Sequence, residues 1–116
     1  EKVEDAGVYY AFLKRLPIDV GEQTLAQVAK ILQTNKGMKL DIVGHCDNEE
    51  FQEGKVNVRY KEVGRKRAEQ VKRKLVDMGI AEGRLTVVAR ENTDPASTRD
   101  TDMARAQNRR VSFIVR

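Results

Sequence analysis

Apolar residues recur along this chain in two rhythms, one of period two and one near three and a half. Val8, Tyr9, Tyr10, Ala11, Phe12 and Leu13 form a run of strand formers closed by Lys14, Arg15 and Pro17, which predicts a first strand. Asp19 with Glu22 three positions on resembles a capping box. Leu25, Val28, Ala29 and Leu32 follow at i, i+3, i+4 and i+7, predicting an amphipathic helix over about 20–33. Asn35-Lys36-Gly37 is expected to stop it, with Gly37 in the left-handed C-terminal position.

Leu40, Ile42 and Gly44 then alternate with Asp41 and Val43, a second strand ending near His45. A polar stretch from Asp47 to about Tyr60 separates it from a second helix over about 61–78, whose apolar stripe is Ala68, Val71, Leu75 and Met78 and whose end is Gly79. Leu85, Val87 and Ala89 alternate as a third strand. Turn formers around Pro95 follow, then a short helical stretch near 102–106, and Val111, Phe113 and Val115 alternate as a last strand. The order β-α-β-α-β-β predicts the α+β class: one domain over 1–116, with both helices on one face of a four-stranded mixed sheet. Right-handed strand-helix-strand crossovers make some neighbours parallel, while the pairing of the last two strands is open.

Charge adds a second candidate surface. Between Lys55 and Lys74 nine basic residues face two acidic ones, a net +7, although the 116-residue chain carries only +4. Such a stripe suits an anionic partner, nucleic acid included, or else is a solvated helix face. One cysteine, Cys46, excludes an internal disulfide, and a single histidine makes a zinc site untenable. No run approaches ~18 apolar residues, the length a membrane-spanning helix needs. The chain opens at Glu1 with no methionine and no charged-then-apolar leader, so it reads as a processed piece of a longer one.

Enzymatic chemistry finds little support. His45 and Cys46 are adjacent, and neighbours on a strand point to opposite faces, so they do not share a proton as nucleophile and base. Gly64, Gly79 and Gly83 are scattered rather than gathered into a phosphate-binding loop. The concentrated polar chemistry is Gly44-His45-Cys46-Asp47, where a buried strand delivers an acid to the sheet's C-terminal edge, a common ligand position. Arg67 precedes Ala68 of the second helix's apolar stripe, between that stripe and solvent, and is within reach of Asp47. Two readings stand. One is a plain salt bridge of about 0–1 kcal/mol. The other is a divided site in which Asp47 takes a ligand ammonium and Arg67 a ligand carboxylate.

The strings Ile42-Val43-Gly44-His45-Cys46-Asp47, Arg67-Ala68, Gly79-Ile80, Arg84-Leu85 and Arg105-Ala106-Gln107-Asn108-Arg109-Arg110-Val111 resemble, in that order, the C-terminal domain family of outer-membrane protein A (OmpA-like). The likeness spans essentially the whole chain, the Val8-Tyr9-Tyr10 strand included. It implies a non-enzymatic domain without cofactors that binds peptidoglycan. The motif Asp and Arg, here Asp47 and Arg67, grip the amino and carboxylate ends of diaminopimelate in the peptide stem. Asn108 and Arg109 line or support that pocket, Cys46 lies beside it, and Arg110 braces the fold. The resemblance also implies a periplasmic location associated with outer membrane and cell wall, with any membrane tether in another part of the chain.

This sequence departs from the family pattern at several uncharged positions. Cys46 stands for the usual Thr, which exchanges a strong hydroxyl partner for a weak one. Ala11 replaces an acidic residue, Gly64 a Ser, Tyr60 a common Asn and Ala89 a frequent Gly, and the Asp47-to-Arg67 interval is several residues longer. The charged clamp is intact while its lining is altered. A lost hydroxyl contact costs about 1 kcal/mol, against about 1.5–3 kcal/mol for each contact to a charged group, so binding is expected to be retained. The competing expectations are an acidic or nucleic-acid partner on the 55–74 segment, and a scaffold kept for protein contacts. Stacking of bases needs aromatics on the sheet face, and the strands at Leu40 and Leu85 carry none.

Overall fold

The computed structural model describes residues 7–10, 21–45, 63–91, 103 and 107–116. Four strands and two helices follow in the order β1 (Val8–Tyr9), α1 (Gly21–Thr34), β2 (Leu40–His45), α2 (Val63–Asp77), β3 (Leu85–Glu91) and β4 (Arg110–Val115). A 3-10 turn over Glu82–Arg84 leads into β3. Met103 and residues 107–108 are helical. The expected continuation of the first strand to Leu13 and the Asp19 cap lie outside the described residues.

The sheet order is β1-β4-β2-β3. β2 and β3 run parallel, in register from Leu40↔Leu85 to Gly44↔Ala89. β4 is antiparallel to both β1 and β2. The last strand therefore does not pair with the third; it inserts between β1 and β2 and splits the first strand-helix-strand unit. Alternation explains why it fits there. Val111 and Phe113 face the core opposite Val8, Gly44 and Ile42, while Ile114, opposite Asp41, points to the other side.

Both amphipathic stripes bury as their spacing predicts. Leu25, Val28, Ala29 and Leu32 of α1 join Ala68, Val71 and Leu75 of α2 over Leu40, Ile42, Leu85, Val111 and Phe113 in one core. Each fully buried aliphatic or aromatic side chain contributes roughly 1.5–3 kcal/mol relative to exposure. α2 lies across β2 and β3. Its C-terminus closes as the Gly79 signal predicts. Gly79 has φ +100°, its N–H donates to the Val76 carbonyl (2.9 Å), and the Ile80 N–H donates to Leu75 (3.1 Å), the paired bonds of a Schellman cap.

The end of α1 departs from expectation. Gly37 is not left-handed; among the described glycines only Gly79 has a positive φ. Side chains close the helix instead. Arg84 donates from Nε to the Met38 carbonyl (3.0 Å) and from one terminal nitrogen to the carbonyls of Leu32 (2.7 Å) and Asn35 (2.9 Å). A cation placed on the last carbonyls also complements the helix dipole. Arg84→Ala is expected to lower stability by about 2 kcal/mol, because several carbonyls lose a charged donor together. The urea midpoint measures this, and Arg84→Lys should recover only part, since one ammonium does not span the three carbonyls.

Candidate functional site

At the C-terminal end of β2 the second helix, α2, lies close against the sheet. A Cβ added at Gly44 would stand 1.8 Å from the backbone carbonyl oxygen of Gly64, in the first turn of α2. Only a bare backbone allows that approach. One step on, the ladder register shifts between Gly44 and His45, so β2 leaves regular pairing as it reaches the candidate residues. Irregularities of this kind re-aim side chains at strand ends.

This approach fixes the position of Arg67. Its terminal nitrogen donates to the His45 carbonyl (3.0 Å), and its Cζ lies 4.9 Å from the centre of the Tyr10 ring. Arg67 has 0% relative exposure and is the largest fully buried side chain among the described residues. The expected place between stripe and solvent is thus corrected: the guanidinium is inside. A carbonyl acceptor and an aromatic face make that burial tolerable, since an arginine over a ring gains a cation–π attraction that strengthens on desolvation.

Tyr10 connects the candidate residues, although its sequence context marks it only as part of a strand. Its N–H donates to the Arg109 carbonyl (2.9 Å), and Arg109 Nε donates back to the Tyr10 carbonyl (2.9 Å). Asn108, beside it, is buried. The Tyr10 ring therefore supports Arg67 while its backbone holds Arg109, so β1, α2 and the start of β4 meet on one residue. Burial pushes the Tyr10 phenol well above its ordinary pKa, and the nearby Arg67 charge pulls only partly against it. The signal available in the sequence was the clustering of aromatics in the first strand; what a ring touches across the fold has no local signature.

Of the other candidates, Cys46 and Asp47 lie outside the described residues. Arg110 is half-buried and pairs with Tyr9 in the ladder between β1 and β4. His45 Nε2 lies 2.8 Å from Ser112 Oγ, a side-chain contact between β2 and β4. Of the basic segment only residues 63–74 are described. Within it Lys74 pairs with Glu22, Lys72 with Glu82 (3.7 Å), and Arg67 is buried. A groove of about 400 Å³ beside α2 is lined by Glu69, Lys72, Arg73, Val76, Glu82 and Val87, none of them a candidate peptidoglycan-binding residue, although Lys72 and Arg73 belong to the basic segment. Among the described residues no cluster of His, Cys, Asp or Glu is arranged to hold a metal, and no helix is long and apolar enough to cross a membrane.

A four-stranded mixed sheet with two helices on one face, and a buried arginine of α2 hydrogen-bonded to the end of β2, define an α+β domain with a cation held at the sheet's edge. The sequence matches the OmpA family over residues 19–109, and the chain belongs to that family. It resembles the peptidoglycan-associated lipoprotein of Burkholderia pseudomallei, with 26% identity and a TM-score of 0.81 over 96% of this chain and 90% of that one. It also resembles the cell wall anchor of the T6SS from Pseudomonas aeruginosa, with 27% identity and a TM-score of 0.71 over 90% of this chain and 72% of that one. The C-terminal domain of Helicobacter pylori MotB shares the fold, with a TM-score of 0.79 at 18% identity over 94% of this chain and 81% of that one. No curated protein matches by sequence.

Proposed function

We propose that this chain is a peptidoglycan-binding domain that holds a bacterial envelope protein to the cell wall from the periplasm, with any outer-membrane tether in another part of the protein. Its ligand is the peptide stem, and the recognised group is a zwitterionic head of the diaminopimelate type. Asp47 takes the ammonium and Arg67 the carboxylate, Asn108 and Arg109 support the pocket, and Cys46 sits beside it. The role is binding, not catalysis.

The observation that carries this reading is the position of the Arg67 guanidinium, hydrogen-bonded to the His45 carbonyl two residues before Asp47. A cation fixed at the end of β2 and an acid two residues further along the sequence suit a small ligand with a charge at each pole. The Burkholderia and Pseudomonas relatives, whose names specify peptidoglycan or the cell wall, support the same partner. Two charge-assisted contacts contribute together about 3–6 kcal/mol, enough to dominate binding of so small a group. Arg67 has no exposed surface, so ligand entry displaces what now covers the guanidinium. The ion pairs of Lys72 and Lys74 leave the nucleic-acid alternative with fewer uncommitted cations.

The domain is expected to co-sediment with purified sacculi. Asp47→Asn, which keeps the shape and removes the charge, should reduce the bound fraction to background. Equal sedimentation of the wild type and Asp47→Asn would overturn the clamp.

A further inference from the structure

Tyr10 is 2% exposed, and its hydroxyl has no hydrogen-bond partner among the described residues. A buried hydroxyl left unpaired costs roughly 1–3 kcal/mol, and in a native fold it calls for a specific explanation. A phenylalanine would fill the same volume without that cost. The ring is not free to swing towards another acceptor. The strand backbone on both sides of its Cα is locked to Arg109, and one face lies against the Arg67 guanidinium.

We propose that the Tyr10 hydroxyl is a further ligand-binding group, donating a hydrogen bond to the same ligand carboxylate that Arg67 takes. The inference deepens the peptidoglycan reading and rests on it. Three observations converge. The phenol is an idle donor, it shares its surroundings with the cation assigned to the carboxylate, and its position is fixed before any ligand arrives. Burial keeps it protonated, so it has a proton to donate at any physiological pH. A hydroxyl bonded to a carboxylate is among the short, charge-assisted hydrogen bonds. With Arg67 donating to one oxygen and the adjacent Tyr10 hydroxyl to the other, a planar carboxylate is held by both its oxygens, whereas a primary amide in its place would present only one acceptor oxygen. Tyr10 thus adds selectivity for the free acid.

The test compares wild type, Tyr10→Phe and Arg67→Lys by titration with meso-diaminopimelate and by sedimentation with sacculi, with the thermal midpoint of each recorded. Tyr10→Phe should raise the diaminopimelate Kd about ten- to a hundredfold, the equivalent of one hydrogen bond to a charged group, while its midpoint is unchanged or higher. A Kd within twofold of wild type would overturn the proposal and make the hydroxyl a trapped or water-bonded core group. In wild-type protein labelled with 13C at the tyrosine Cζ, the Tyr10 resonance, assigned against Tyr9→Phe and Tyr60→Phe, should shift on saturation with the ligand. An unmoved Tyr10 resonance overturns the proposal even if Tyr10→Phe fails to fold. The two levels separate cleanly. If Arg67→Lys weakens binding and Tyr10→Phe does not, only the role of Tyr10 falls. If wild type binds neither diaminopimelate nor sacculi, the peptidoglycan reading falls and takes this inference with it; if Arg67→Lys binds as well as wild type, the guanidinium clamp falls, and this inference with it.

Discussion

Gly44→Ala is expected to be the most destabilising single-methyl change in the described part of the molecule. The added Cβ would sit 1.8 Å from the Gly64 carbonyl oxygen, 2.5 Å from its carbon and 3.1 Å from the Ala68 Cβ. The first two are backbone atoms of α2, and no rotamer change moves them. Relief requires lifting the start of α2 off β2, against the burial of Ala68 and Val71 one and two turns further on. Overpacking of this kind costs about 3 kcal/mol or more, a large fraction of a marginal total of roughly 5–15 kcal/mol. Urea unfolding followed by circular dichroism would show the midpoint collapse. The contrast is internal. Gly37 and Gly83 have no atom within 4 Å of a built Cβ and no positive φ, so Gly37→Ala and Gly83→Ala should stay within about 0.5 kcal/mol of wild type. Equal effects at all three positions would mean that close approach is not what requires Gly44.

The two helices were legible because an apolar stripe of period 3.6 is a local property. The residues expected to face inward, Leu25, Val28, Leu32, Ala68, Val71 and Leu75, are the ones that do. Gly79 was equally readable, because a left-handed cap is decided within one turn of helix. Strand order was not. Whether Val111 and Phe113 pair with β3 or slip between β1 and β2 depends on partners 67 to 103 residues away, and alternation looks the same in either place. The same reason hides the end of α1. Gly37 offered a local explanation, and a guanidinium from Arg84, far along the chain, supplied the actual one.

Legibility within the candidate site divides along the same line. Arg67 was found from its place beside Ala68 and from the family strings, but its burial was misjudged. Periodicity treats a charged residue at the edge of a stripe as facing solvent, and does not register the acceptor and ring waiting across the fold. Tyr10 escaped for the complementary reason: an aromatic in a strand reads as core, and here the core position is also the support of the guanidinium. The described part of the basic segment shows the opposite limit of a sequence count. The net charge is real in the sequence, yet within the described residues 63–74 Lys74 is paired with Glu22 on α1 and Arg67 is buried, which a count along the chain does not register.

Arg67 should separate binding from stability more sharply than any other position. Arg67→Leu removes a buried charge together with its desolvation cost, and fills much of the same space with an apolar side chain. Exchanges of buried charged groups for well-packed apolar ones are often close to neutral, although here the His45 carbonyl loses its donor at a cost of roughly 1–3 kcal/mol. The fold should therefore survive with a modestly lower midpoint. Binding should not survive, because the carboxylate end of the ligand would then face an apolar wall. The sacculus-bound fraction is expected to fall to background and the diaminopimelate Kd to rise at least a hundredfold, which corresponds to about 3 kcal/mol. Arg67→Lys discriminates further. It keeps the charge but loses the planar fork and its stacking on Tyr10, so affinity should fall by about tenfold rather than vanish. Sacculus binding that persists in Arg67→Leu with a folded spectrum would exclude a guanidinium clamp, and would move the search for the wall-binding group to another face of the domain.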